Sequence, residues 1–123
     1  MSNSFIPLWM IFMHIVDDYY LQGWLASAKQ KEWWEKNAPH KLYKNDYLWA
    51  LIMHAFSWTF MIMLPLAIYL NFYITDTFMI IFAANWIIHA VVDDLKANAK
   101  VINLWADQMI HIGQIIITAA ILL

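Results

Sequence analysis

The chain has 123 residues, 63% of them hydrophobic and 13% charged, with a mean hydropathy of +0.55. Soluble domains carry roughly 25% charged residues, so this composition argues against a water-soluble fold. A formal charge of −2 and the lack of arginine exclude a basic nucleic-acid surface and bidentate phosphate clamps, and the lack of cysteine excludes disulfides and thiolate metal sites.

The first apolar stretch lies within residues 4–22. It lacks the basic start and small-residue cleavage site of a signal peptide, so it is read as a retained membrane helix. Pro7 falls in its first turn, where a missing N–H is tolerated. The stretch closes on His14, Asp17, Asp18 and Gln22. A long polar connection follows over 23–47, with an amphipathic piece at 24–36 suited to the plane of a membrane interface and stopped by Asn37-Ala38-Pro39. The second helix is expected over 48–70, with Asn45 or Asp46 as its cap and His54 about two turns in. The third is expected over 77–94, capped by Thr75 or Asp76 and carrying Asn85, His89 and Asp93. The fourth is expected over 101–123, with Asn103, Asp107, His111, Gln114 and Thr118 at helical spacing. The expected fold is one all-α domain over 1–123, an integral membrane four-helix bundle with a long cytoplasmic loop after its first helix.

Orientation follows from lysine. Lys29, Lys31, Lys36, Lys41 and Lys44 lie in the first connection, and Lys96 and Lys100 in the third. In an up-and-down bundle those connections share a side, which the positive-inside rule places in the cytoplasm. The expected location is the inner (cytoplasmic) membrane, with both termini extracytoplasmic. Trp24, Trp33, Trp34, Trp49 and Trp105 then read as an aromatic belt on the cytoplasmic side.

Three of the helices carry a histidine and an aspartate spaced i, i+4: His14 with Asp18, His89 with Asp93, and Asp107 with His111. That spacing puts each pair on one helix face. With His54 they fall in one layer near the cytoplasmic ends of the helices. Ionisable groups in apolar helices are costly and mark a site by default. Imidazole and carboxylate without thiolate suit a divalent ion such as Zn, Mn or Fe, so His14, Asp18, His54, His89, Asp93, Asp107 and His111 are the candidate ligands. The surplus over one coordination sphere leaves room for a second ion, orienting carboxylates, or a general base, with Asp18 and Asp107 the candidates for that base. Bis-histidine haem is the weaker cofactor reading, because axial histidines rarely have a carboxylate one turn away. Asp17 and Asp94 are read as interfacial, His40 as solvated, and the methionines as packing. Lys29, Lys31 and Lys96 are candidates for holding a lipid headgroup as point charges. His14-Ile-Val-Asp-Asp18 also resembles His89-Ala-Val-Val-Asp-Asp94, a short echo on helices running the same way.

The order of these motifs resembles a family of small bacterial and phage four-helix integral membrane proteins that make up a domain of unknown function. That pattern is a first-helix His-x-x-x-Asp with Leu-Gln and then Lys downstream, a second-helix His, a His-x-x-x-Asp with a nearby Lys, and an Asp-Gln-x-x-His. Here it falls on His14, Asp18, Leu21-Gln22, Lys29 or Lys31, His54, His89, Asp93, Lys96, Asp107-Gln108 and His111. The resemblance implies a site and no reaction. A more distant likeness is to membrane-bound metal-dependent hydrolases. The residues themselves admit three functions: a metal-dependent hydrolase acting on a lipid or phosphate-bearing amphiphile at the cytoplasmic leaflet, a cation or proton transport component, and a small membrane interaction or regulatory protein with a structural polar cluster. Membrane lipids and a second copy of the chain are the expected partners.

Reporters fused to the C-terminus test the orientation. A reporter that works only outside the cytoplasm is expected to be active, and strong activity of a cytoplasm-only reporter would reverse the topology.

Overall fold

The computed structural model describes residues 3–123, and among these it is all-helical, with no strand. The first helix, α1 (Phe5–Ile15), continues without a break into a π-helical segment, Val16–Leu21. Gly23, at φ +57°, turns the chain into two short helices, α2 (Leu25–Ala28) and α3 (Lys31–Asn37), followed by a 3-10 turn at Lys41–Tyr43. Three long helices complete the chain: α4 (Asp46–Tyr69), α5 (Asp76–Ala97) and α6 (Leu104–Leu122). Among the described residues there are therefore six α-helices rather than the four expected, because the 23–47 connection folds into helices of its own.

The segments of α4, α5 and α6 are long and apolar enough to cross a membrane, with mean hydropathies of 1.8, 1.6 and 1.2. The first segment is shorter, with eleven α-helical and six π-helical residues.

Local chemistry sets the ends. The Thr75 hydroxyl accepts from the Phe78 N–H at 3.1 Å and caps α5. Asn103, expected on the interior stripe of the last helix, caps it instead, its Oδ1 accepting from the Ala106 N–H at 2.9 Å. Asn45 stands at the start of α4 without a side-chain cap bond. The α4–α5 turn is a Schellman closure: Asn71 takes φ +53°, and the Phe72 and Asn71 N–H groups donate to the Ala67 and Ile68 carbonyls.

The four long columns close into a ring, with α1 and α5 diagonal to each other and each packed against both α4 and α6. The distribution of polarity is inverted relative to a soluble bundle. Leu8, Phe12, Ile80, Ile87 and Ile117 stand exposed on the outside, while His14, His54, His89, Asp93, Asp107 and His111 are buried inside. Exposed apolar surface around a polar interior is stable against lipid and unstable against water.

Along the bundle axis the interior has two halves. Ile6, Met10, Ile62, Leu66 and Ile115 fill one with apolar side chains. The other holds the histidines and aspartates. Trp58, wholly buried, lies between them and forms the floor of the polar half. The connection carrying α2 and α3 covers its opposite end, with Ala28 and Lys29 buried beneath it.

Candidate metal centre

Each column contributes to the polar layer. The π-helical segment matters at the first. Its i→i+5 bonding widens the turn, and two consecutive acids, Asp17 and Asp18, both reach inward. The expectation of an interfacial Asp17 is therefore corrected. It is 1% exposed, its Oδ1 accepts from Ser57 Oγ at 2.6 Å, and its Oδ2 lies 3.7 Å from His54 Nδ1. Asp94 stays off the cluster, accepting from Asn98.

Asp93 is the hub. Its Oδ2 lies 2.9 Å from Lys29 Nζ, 3.4 Å from His89 Nε2 and 3.5 Å from His54 Nε2, and its Oδ1 lies 3.2 Å from His111 Nε2. Asp18 faces it across the layer, with Oδ1 3.0 Å from His54 Nε2 and 3.9 Å from His89 Nε2. Asp107 Oδ1 lies 3.3 Å from His111 Nε2, and its Oδ2 lies 3.5 Å from Lys96 Nζ.

The imidazoles are held by stacking and by hydrogen bonds from behind. His89 is sandwiched between the Trp58 indole, with centroids 4.2 Å apart, and the His111 ring, 4.0 Å away. Neither ring nitrogen of His89 has a hydrogen-bond partner, though the residue is fully buried. His111 Nδ1 is paired with Gln114 Oε1 at 2.9 Å. The Gln114 amide is oriented in turn, since its Nε2 donates to the Asn85 backbone and side-chain oxygens, and Asn85 donates to Thr118 Oγ1. Asn85, Gln114 and Thr118, read in sequence as an interior stripe, thus form a relay behind His111.

His14 has a different part from the one its spacing suggests. Its Nδ1 accepts from Trp58 Nε1 at 2.8 Å, and its Nε2 donates to Gln108 Oε1 at 2.8 Å. Both nitrogens are engaged, and among the described residues His14 belongs to no group of potential ligands. It contacts the Gln108 amide on one side and the Trp58 indole on the other. Gln108 reaches back with its Nε2 to Asp107 Oδ2 at 2.9 Å and Asp18 Oδ2 at 3.4 Å.

Four overlapping sets of side chains, all buried except the half-buried Asp18, place one donor atom each within 4.8 Å of the others: Asp18–His89–His111, His54–His89–Asp93, Asp17–Asp18–His54 and Asp93–Asp107–His111. These groups lie close enough together to hold a metal ion. No family model, curated protein or solved structure matches the chain.

The lysines divide. Lys29, a headgroup candidate from sequence, points inward instead and is 6% exposed on its ion pair with Asp93. Asn98 holds the backbone that aims it, donating to the Lys29 carbonyl at 2.9 Å and accepting from the Lys31 N–H at 2.7 Å. Lys31 is exposed, its ammonium 5.1 Å from the Tyr47 ring centroid. Lys96 is partly buried on Asp107. His40 is exposed in its loop, as a solvated residue would be, and caps the 3-10 turn. Trp24, Trp33 and Trp34 pack edge-to-face into one cluster on the covering segment.

Sequence reasoning missed Trp58, Ser57 and the inward turn of Lys29. Trp58 had a readable signal, since it follows His54 by four and shares its helix face. Lys29 had none, because only the fold of the connection decides where it points.

Removing one partner of a buried ion pair strands the other charge, at about 3–5 kcal/mol. Lys29→Met is expected to destabilise chelator-treated protein by an amount in that range. Lys29→Met with Asp93→Asn should recover much of the loss. Thermal unfolding of the wild type, both single variants and the double variant in one detergent checks this.

Proposed function

We propose that the protein is a metal-dependent hydrolase embedded in the cytoplasmic membrane, with α1 and its π-helical extension as a fourth spanning column and both termini outside. Its ion is held by Asp18, His54, His89 and Asp93. The observation that carries the reading is the closeness of these donor atoms. The contacts His54–Asp18, His54–Asp93, His89–Asp93 and His89–Asp18 measure 3.0, 3.5, 3.4 and 3.9 Å. A tetrahedron with metal–ligand bonds near 2.0–2.1 Å has edges of about 3.4 Å. The four contacts lie near that edge length, and His54, His89 and Asp93 place their donor atoms within 4.8 Å of one another.

Charge supports the same reading. The layer holds three buried aspartates and the half-buried Asp18, and the ammonium groups of Lys29 and Lys96 offset two of the four. A divalent ion cancels the remaining charge, which an apolar surrounding otherwise makes costly. The donor chemistry favours Zn, Mn or Fe, since imidazole suits these ions and Ca prefers all-oxygen sites. Haem fits poorly, because the His89 and His111 rings lie 4.0 Å apart and leave no space for a macrocycle between them.

A bound ion of this kind acidifies its water and polarises an acyl or phosphoryl oxygen. Asp107 Oδ1 is buried and has no hydrogen-bond partner, so it is the better placed of the two candidate bases, Asp18 being one of the four donors. Hydrolysis places the hydroxyl of water on the acyl or phosphoryl group and its proton on the leaving oxygen. The substrate is an amphiphile with its head at the cytoplasmic face. Transport is the weaker reading, because apolar side chains fill the other half of the bundle and offer an ion no polar route.

Chelation is expected to lower the unfolding temperature of detergent-purified protein, and Zn, Mn or Fe to restore it. His89→Ala should lose the restoration, as it removes a donor without removing a hydrogen bond. A wild-type unfolding temperature indifferent to chelator and metal would defeat the proposal.

A further inference from the structure

Asp93 presents its two carboxylate oxygens to two different donor sets. Oδ2 belongs to the group with His54 and His89, which Asp18 approaches through its contact with His54. Oδ1 faces His111 Nε2 at 3.2 Å, in a second group completed by Asp107. That second group has its own unmet demand. Gln114 Oε1, its orientation locked by Asn85, takes the hydrogen of His111 Nδ1. In the neutral imidazole this leaves the Nε2 lone pair aimed between two carboxylate oxygens, Asp93 Oδ1 and Asp107 Oδ1 at 3.3 Å. Asp107 is 1% exposed, and its Oδ1 has no hydrogen-bond partner. With the ring neutral, three acceptors converge there; with Nε2 protonated, its hydrogen bond to Asp93 Oδ1 at 3.2 Å leaves Asp107 Oδ1 without a donor. A proton on Nε2 would serve one carboxylate and strand the other, whereas a metal ion meets all three lone pairs at once.

We propose that the polar layer is a two-ion centre bridged by the Asp93 carboxylate, with a second divalent ion held by Asp93 Oδ1, Asp107 Oδ1 and His111 Nε2. This deepens the metal-hydrolase reading and rests on it, with Asp107 Oδ1 a donor to the second ion in place of a base. The second position has three protein donors and an open coordination site, the arrangement of catalytic rather than structural metals. Paired ions clamp the attacking and leaving oxygens of an in-line displacement at phosphorus.

Charge then selects the substrate class. One divalent ion neutralises the layer, and a second gives it two formal positive charges. A phosphate monoester dianion balances them. A basic vestibule of about 430 Å³, lined by Gln22, Gln30, Lys29, Lys96 and Lys100, opens beside Lys29 and Lys96, whose ammonium groups touch Asp93 and Asp107. The second ion and the phosphate therefore bind cooperatively.

The test is metal content by elemental analysis after loading with Mn and desalting, with and without millimolar inorganic phosphate. Wild-type protein is expected to hold two ions per chain with phosphate. Asp107→Asn and His111→Gln should each hold one in both conditions, since both spare the four-donor group. Two Mn ions sharing a carboxylate should also give an exchange-coupled paramagnetic resonance spectrum in the unaltered protein, independent of how the variants fold. One ion in the wild type with phosphate, or two in both variants, would overturn the second position and leave the single-ion hydrolase standing. No ion in any sample would remove the hydrolase reading itself.

Discussion

Asp93 places a carboxylate that is 2% exposed at the meeting point of four elements, and the rest of the molecule is arranged around that charge. Removing a carboxylate from water costs several kcal/mol unless its lone pairs are met. Here α2 delivers Lys29, α4 delivers His54, α6 delivers His111, and α5 itself supplies His89 one turn earlier. None of these contacts is made within the connection or α6 alone. The covering segment, the ring of columns and the polar layer therefore depend on one another.

The two halves of the interior have separate tasks. The apolar half packs Ile6, Met10, Ile62, Leu66 and Ile115 into a scaffold that fixes the spacing of the columns. The polar half uses that spacing to hold donor atoms a few ångströms apart. Trp58 joins the two, with its ring face against His89 and its N–H on His14. Beyond the donors runs a layer of orienting contacts, with Gln114, Asn85 and Thr118 behind His111, Gln108 beside Asp18 and Asp107, and Ser57 on Asp17. Donor atoms held this way are ordered before any ion arrives, which favours binding without new contacts.

Much of this was readable from residue spacing. A helix repeats every 3.6 residues, so the i, i+4 pairs His89–Asp93 and Asp107–His111 had to share a face, and apolar neighbours had to leave that face as the interior. Thr75 as a cap was legible for the same local reason. Three things were not. Asp17 turns inward because the chain adopts π-helical bonding over Val16–Leu21, which residue pattern does not reveal. Lys29 turns inward because Asn98, 69 residues further along, holds its carbonyl. His14 has the spacing of a ligand, but Trp58 and Gln108 occupy both its nitrogens, and those partners come from other helices. In each case a contact distant in sequence, or an irregular turn, overrode the local pattern.

Imidazole and carboxylate donors preorganised around Asp93 would take up a metal ion with little rearrangement. X-ray absorption at the Zn edge of protein purified in mild detergent and loaded with Zn tests it most directly. A nitrogen and oxygen coordination shell at about 2.0–2.1 Å is expected, with the outer-shell scattering of at least two imidazole rings, both lost in Asp93→Ala. A spectrum of hydrated zinc without imidazole scattering, or one unchanged by that substitution, would contradict it.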